Sequence, residues 1–286
     1  MTDLRVRELE RRWQESGSVD DEAALLRERA RVGDLEADRI ELGAYLGHPA
    51  ALVALGRSRD DRPIEDWLSD IPSHREFCQR FVLAAATACL PAWYRDHPAW
   101  PEEFAAREAA LADSERLERA VFGPLQFERP VPRQDEPALV ISAAEQLLVH
   151  PSAEQEEAVH DLLERATVHG LLAAQPALAA ASLVCSLYQE QVDDELRFEV
   201  QEVAGNACRA LALPDADLLL SGHNARERRG LRRLPVGAVP DCPRLWTHVR
   251  EDVVQWIFGY SDPVRDRVER RERSVARGGR SDDPSR

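Results

Sequence analysis

The chain has 286 residues, of which 31% are charged and 44% hydrophobic, and its formal net charge is −15. This composition is typical of a globular protein with a large core, and it argues against a disordered chain. The sequence has no run of 18 or more apolar residues, and its first residues are charged, so we expect neither a membrane span nor a secretory signal.

The first predicted unit is a module of four short helices at residues 1–57. Apolar residues recur there every three or four positions, as on one face of a helix. Residues that cap or terminate helices divide the pattern. The dividing residues are Gly17, Ser18, Gly33, Gly47 and Pro49.

Residues 58–123 are predicted to form a first helix-pair region, followed by a proline-rich crossover at 124–136. In this region the spacing of Ser73 and Glu76 predicts a capping box, and Pro91 is expected to end the helix that follows it. Trp93 and Trp100 then lie in a segment with three prolines, which we interpret as an ordered loop. These two tryptophans are the candidate aromatic anchors for a partner.

Residues 137–260 are predicted to form a second helix-pair region, and residues 261–286 a charged, partly disordered tail. The pairs Asp266/Arg270 and Glu269/Arg273 indicate a short exposed helix in that tail, with disorder expected from about Val275. No segment alternates between apolar and polar residues long enough to suggest a sheet. The predicted fold is therefore all-α, with stacked antiparallel helix pairs as in a HEAT-like α-solenoid or an irregular helical bundle.

Negative charge is concentrated in residues 134–200, which contain 13 Asp or Glu and only two Arg. A continuous acidic region repels nucleic acid and attracts a basic protein, so we expect it to form a partner-binding face. The candidate residues of that face are Glu154, Glu156, Glu157, Asp161, Asp193, Asp194 and Glu195.

All 37 basic residues are arginine, which fits a GC-rich genome and also suits bidentate contacts to carboxylates. One cluster could bind an anion or pair with the acidic stretch, or it could be a solvated loop. A nucleic-acid site is the weaker interpretation, since the region is acidic overall and the cluster has no aromatic residue. The cluster consists of Arg226, Arg228, Arg229, Arg232 and Arg233.

Motifs that carry chemistry are scarce. Glu157 and His160 have the Glu-x-x-His spacing of di-iron bundles, although no second copy occurs, so a helical metal-binding protein or enzyme is the alternative function. Neither a nucleophile elbow nor a glycine-rich phosphate loop is found. We therefore predict a non-enzymatic protein without a cofactor.

Five cysteines without a Cys-x-x-Cys motif indicate buried thiols in a reducing cytoplasm. Cys242, which directly precedes a predicted helix, is the one thiol whose position could lower its pKa, although a core role is the preferred interpretation. The others are Cys78, Cys89, Cys185 and Cys208.

The first fifty residues contain Trp-Gln-Glu-Ser-Gly at 13–17, Asp-Glu-Ala at 21–23, Arg-Val-Gly-Asp-Leu at 31–35 and Leu-Gly-Ala-Tyr-Leu-Gly at 42–47. They resemble a module in uncharacterised helical proteins of myxobacteria and similar GC-rich bacteria. The Pro-opened helix pairs at 63–68 and 137–148 are loosely similar to those of immunity proteins in bacterial toxin systems. These resemblances imply an all-helical interaction module, immunity-like or a scaffold, with no catalytic residues.

Overall fold

The computed structural model describes residues 2–58, 68, 70–96, 135–165, 175–189, 194–212 and 242–278. Every regular element in these ranges is an α-helix, which confirms the predicted all-α class. The helices are α1 (Thr2–Ser16), α2 (Val19–Val32), α3 (Ala37–Tyr45), α4 (Pro49–Leu55), α5 (Arg75–Asp96), α6 (Glu136–Val149), α7 (Ala153–Arg165), α8 (Gln175–Gln189), α9 (Asp194–Ala212), α10 (Pro243–Ile257) and α11 (Pro263–Gly278).

Local signals set the boundaries of the N-terminal helices, as the sequence predicts. The Ser18 hydroxyl accepts a hydrogen bond from the backbone N–H of Asp21 at 3.1 Å and caps α2. Gly33 ends α2 in the left-handed conformation (φ 79°), and Pro49 occupies the first turn of α4. Helix α2 packs on α1 and α4, and α3 packs on α4.

Helix α5 lies at the centre of the fold and contacts α6, α8, α9 and α10. It is buried on nearly all sides because its middle is apolar around the whole circumference. In a solenoid each helix pair contacts only its neighbours. The described helices therefore form an irregular bundle around α5. The buried residues of α5 include Phe77, Phe81, Val82, Leu83, Ala84, Ala85 and Cys89.

The expectation that Pro91 ends this helix is wrong. Helix α5 continues through Pro91 to Asp96, so Trp93 lies on the helix rather than in a loop. Packing of α5 against four helices outweighs the loss of one backbone hydrogen bond at the proline.

One hydrophobic core joins the N-terminal helices to the rest of the described bundle. Helix α3 packs on α10, and Gly43 on α3 faces the ring of Phe258, which directly follows α10. No helix in the described ranges is long and apolar enough to cross a membrane.

The C-terminal segment differs from its prediction. Helix α11 extends to Gly278, so the residues after Val275 that were expected to be disordered are helical as far as that glycine. The helix is not simply exposed either, because Val264 and Val268 are buried against the bundle. It packs on α6 and α10.

Candidate functional site

Helix α7 carries four of the seven acidic residues selected from the sequence, namely Glu154, Glu156, Glu157 and Asp161, together with Glu164, which was not selected. Ser152 caps it by accepting a hydrogen bond from the backbone N–H of Gln155 at 3.2 Å. Val159 is buried on the side of α7 that packs on α6 and α8. The opposite side is exposed and bears four carboxylates at helical spacing. They belong to Glu154, Glu157, Asp161 and Glu164 and are called the α7 acidic face below.

Three of these four carboxylates have no cationic partner among the described residues. Asp161 accepts a hydrogen bond from Arg165 at 3.1 Å. Across the described ranges, Glu154, Glu157 and Glu164 form no ion pair. Their side chains are exposed, so no charge in the described part of the chain compensates theirs directly.

Glu156, another candidate residue, is half-buried and does not belong to the exposed face. Burial raises the pKa of the Cys185 thiol on α8 to about 11, and the nearby Glu156 carboxylate adds to the effect. Glu156 therefore lies on the side of α7 towards α8.

No described contact connects the remaining candidate partner-binding residues to the α7 acidic face. Asp194 and Glu195 lie in the first turn of α9, but their side chains, like that of Trp93, are outside the described residues. Asp193, Trp100 and the arginine cluster at 226–233 also lie outside them.

The stretch 134–200 does not form one continuous acidic surface, because Glu145 is buried with 1% of its side chain exposed. Its Oε1 accepts from Nε of Arg267 at 2.7 Å, and its Oε2 accepts from Nη2 of Arg271 at 2.6 Å. Arg267 also donates to Asp252 on α10 at 2.7 Å. This carboxylate is thus neutralised by the chain's own α11.

Several arginines cap the carboxyl ends of helices, a role that sequence reasoning missed. Arg29 donates to the Phe258 carbonyl at 2.7 Å, and Arg39 donates to the carbonyls of Trp256 and Ile257 at 3.2 Å. Arg250 likewise donates to Leu46 O after α3 at 2.6 Å. The last carbonyls of a helix lack internal partners and carry partial negative charge, which explains the preference for guanidinium. Each pair is more than 200 residues apart, so no local pattern reveals it.

Two guanidinium groups also flank the ring of Trp256. The Cζ atom of Arg39 lies 4.8 Å from the ring centroid and that of Arg80 lies 4.6 Å from it. Arg80 is almost fully buried and forms a bidentate pair with Asp262 at 2.7 and 2.8 Å. Burial opposes ionisation of Asp262, but the hydrogen bonds from Arg80 hold its pKa below the usual value.

A half-buried polar cluster joins α1, α2, the turn before α4 and the turn after α10. The Tyr260 hydroxyl donates to Glu22 at 2.8 Å, and its ring stacks on Trp13 at 4.9 Å between centroids. His48 Nε2 lies 3.7 Å from the same Glu22 oxygen. Burial lowers the pKa of His48 and raises that of Tyr260 above its usual range. Both rings are therefore neutral at pH 7, and the cluster acts as a packed polar contact between segments.

Glu157 and His160, the residues of the metal-binding alternative, are both exposed on α7. No group of three or more His, Cys, Asp or Glu in the described ranges could hold a metal ion. The five cysteines are free and buried, as predicted, and burial raises the pKa of the Cys89 thiol beyond its ordinary range. These thiols are packed in the core.

The chain matches no known protein family model, no curated protein and no solved structure. The resemblance to helical proteins of GC-rich bacteria therefore stays a prediction.

Proposed function

We propose that this chain is a non-catalytic interaction module that binds a basic protein partner through the α7 acidic face. The observation that supports the proposal is the exposure of Glu154, Glu157 and Glu164 on one side of a peripheral helix without a cationic partner in the described chain. Such carboxylates are available to arginine or lysine side chains of another protein.

The N-terminal helices show a contrasting use of acidic residues. On α1–α4 many carboxylates are paired with arginines of the same chain. One example is Glu41, which binds Arg57 at 2.5 Å. Pairing of this kind reduces the local field, so the unpaired charge of α7 is the stronger attraction for a cation.

Electrostatics of this kind favours fast and salt-sensitive association. Two unit charges 4 Å apart in water attract by only about 1 kcal/mol, so several contacts must act together. Screening reduces the attraction beyond about 8 Å at physiological ionic strength. A partner with a basic patch of matching size fits this requirement, whereas nucleic acid would be repelled.

Within this proposal, we expect the chain to act as an immunity-like protein or as a scaffold, because proteins of both kinds bind other proteins without catalysing a reaction. We also expect the module to act in the cytoplasm, because its five free buried thiols suit a reducing compartment. The metal-binding alternative predicts stoichiometric metal in the purified protein, and elemental analysis tests it.

The test compares affinity capture from a lysate of the source organism by three proteins. These are the wild type, a variant with Glu154→Lys, Glu157→Lys and Glu164→Lys, and a control with the same charge change elsewhere. The control replaces the exposed residues Glu10, Glu202 and Glu251 by Lys.

Basic proteins captured by the wild type and the control, but lost with the α7 variant, would support the proposal. Their retention should also fall with added salt. Equal capture by the α7 variant and the wild type would overturn it. So would capture of acidic partners alone.

A further inference from the structure

We propose that the groove between α6 and α10, which α11 fills, is a second interaction surface that accepts a basic helix with two arginines four residues apart. Helix α11 is its intramolecular occupant, and a helix of a partner with the same pattern would replace it. This surface differs from the α7 acidic face, so the inference goes beyond the proposed function.

The floor of the groove is acidic and buried. Glu145 of α6 binds Arg267 and Arg271 through its two oxygens at 2.7 and 2.6 Å. Asp252 of α10 is also mostly buried and binds the other side of Arg267 at 2.7 Å. An uncompensated buried carboxylate is strongly unfavourable, so this pair of acids requires a cationic occupant.

Helix α11 is held in the groove largely by charge. Its only buried apolar side chains in the described structure are Val264 and Val268, both in its first two turns. Residues 272–276 are exposed, and Val275 is 76% exposed. Helix α11 buries far fewer apolar side chains than a core helix such as α5, so a helix that supplies the same two arginines can compete with it for the groove.

The fit of α11 to the groove is incomplete. Nη2 of Arg267 is buried and has no hydrogen-bond partner in the described structure. Burial works to lower the pKa of Arg267, but Glu145 and Asp252 outweigh it and keep the group charged. A buried donor without an acceptor weakens the native arrangement. A competing helix that supplies an acceptor at this point would bind better.

The contacts define the motif of the occupant. Val264, Arg267, Val268 and Arg271 lie on one face of α11 because their spacing is three, four and seven residues. The expected partner sequence is therefore a helix with Val-x-x-Arg-Val-x-x-Arg or a similar apolar pair. Lysine is a poor substitute at the first arginine, because a single ammonium cannot reproduce the planar fork that joins Glu145 to Asp252.

The test uses a fluorescent peptide with the sequence of residues 262–278 and the full chain carrying Arg267→Gln and Arg271→Gln. These changes leave Glu145 and Asp252 without their cations, while the peptide supplies them in trans. We expect the peptide to bind this variant at least tenfold more tightly than the wild type, whose own α11 competes. A peptide with the same two Arg→Gln changes should not bind.

Circular dichroism and gel filtration establish that the variant is folded. Should the double variant fail to fold, Arg271→Gln alone is used, because that side chain is 40% exposed and its loss is milder. A folded variant that does not bind the native peptide, or that binds the Arg→Gln peptide equally well, would overturn the inference.

A further variant separates this surface from the α7 acidic face. The changes Glu154→Lys, Glu157→Lys and Glu164→Lys are added to the variant that binds the peptide. Retained binding assigns the peptide to the groove. Lost binding would place the peptide on α7, which refutes this inference and leaves the proposed function intact.

Discussion

The close approach of α3 to the end of α10 predicts that Gly43→Ala destabilises the fold, although alanine is the better helix former. A Cβ atom at position 43 would lie 2.4 Å from Cζ of Phe258 and 3.1 Å from its Cε1. It would also lie 3.3 Å from Cβ of Ala51. Carbon atoms pack at about 3.5–4.0 Å, so the first distance is more than an ångström too short.

The Phe258 ring has little freedom to move away. It is fully buried, its centroid lies 5.0 Å from that of His48 and 5.7 Å from that of Tyr260, and its carbonyl is bound by Arg29. Overpacking of a core costs about 1–3 kcal/mol, and this rigid neighbour favours the upper end. The helix preference of alanine over glycine offsets about 1 kcal/mol. The expected net loss in the free energy of unfolding is about 2 kcal/mol.

The assay is urea unfolding followed by far-UV circular dichroism, with Phe258→Leu as the second arm of a double-mutant cycle. Leucine removes the ring carbon that a Cβ would meet, so Gly43→Ala should then stabilise the protein by about 0.5–1 kcal/mol. Gly43→Ala should therefore destabilise the wild type but stabilise the Phe258→Leu variant. An increase in stability on Gly43→Ala in the wild type would refute the described contact between α3 and Phe258.

Two further predictions concern buried charge. Burial lowers the pKa of His48 in the folded state, so this residue takes up a proton at a higher pH in the unfolded state than in the folded one. The free energy of unfolding should therefore fall as the pH drops below about 6.5, by at most about 1.4 kcal/mol per pH unit. His48→Gln should weaken the pH dependence of the urea midpoint between about pH 7 and pH 5. A midpoint that changes with pH as much as in the wild type would contradict the role of His48. Arg80→Lys should cost about 2 kcal/mol in urea unfolding, since lysine keeps the charge but loses the bidentate pair with Asp262. The exposed Arg57, replaced in the same way, is the control and should show little change, so equal losses at both sites would refute the importance of the buried fork.

The N-terminal helices could be predicted because their boundaries depend on neighbours in sequence. Ser18, Gly33 and Pro49 satisfy or remove backbone groups within one turn of themselves, so the sequence alone defines them. The prediction that Pro91 ends a helix is wrong because that helix depends on residues distant in sequence. The local effect of Pro91 is unfavourable, but α5 is held by four helices, and no local pattern reports that packing.

Charge composition could not separate the exposed acids from the buried ones, but helical spacing offers a signal. Glu145 lies four residues after Ile141 and one after Ala144, both of which are buried, so it falls on the apolar face of α6. Arg267 lies three residues after Val264 and one before Val268, both of which are buried, so it falls on the apolar face of α11. A charged residue on an apolar face requires an opposite charge, so this pattern would have predicted a buried pair. It would not have identified the partners, which lie 122 residues apart.

The arginines explain why the sequence charge is a poor guide to the surface. Arg29, Arg39 and Arg250 bind the carbonyls at helix ends, and Arg80 and Arg267 bind buried or half-buried carboxylates. The guanidinium groups of Arg80 and Arg267 contribute little to the field outside the molecule, because the carboxylates that they bind cancel their charge. These five arginines are therefore held by contacts within the described bundle, whereas Glu154, Glu157 and Glu164 on α7 form no ion pair in the described ranges. Under the two proposals, a basic partner would first meet the negative charge of α7, and it would meet the acids of the α6–α10 groove only after displacing α11.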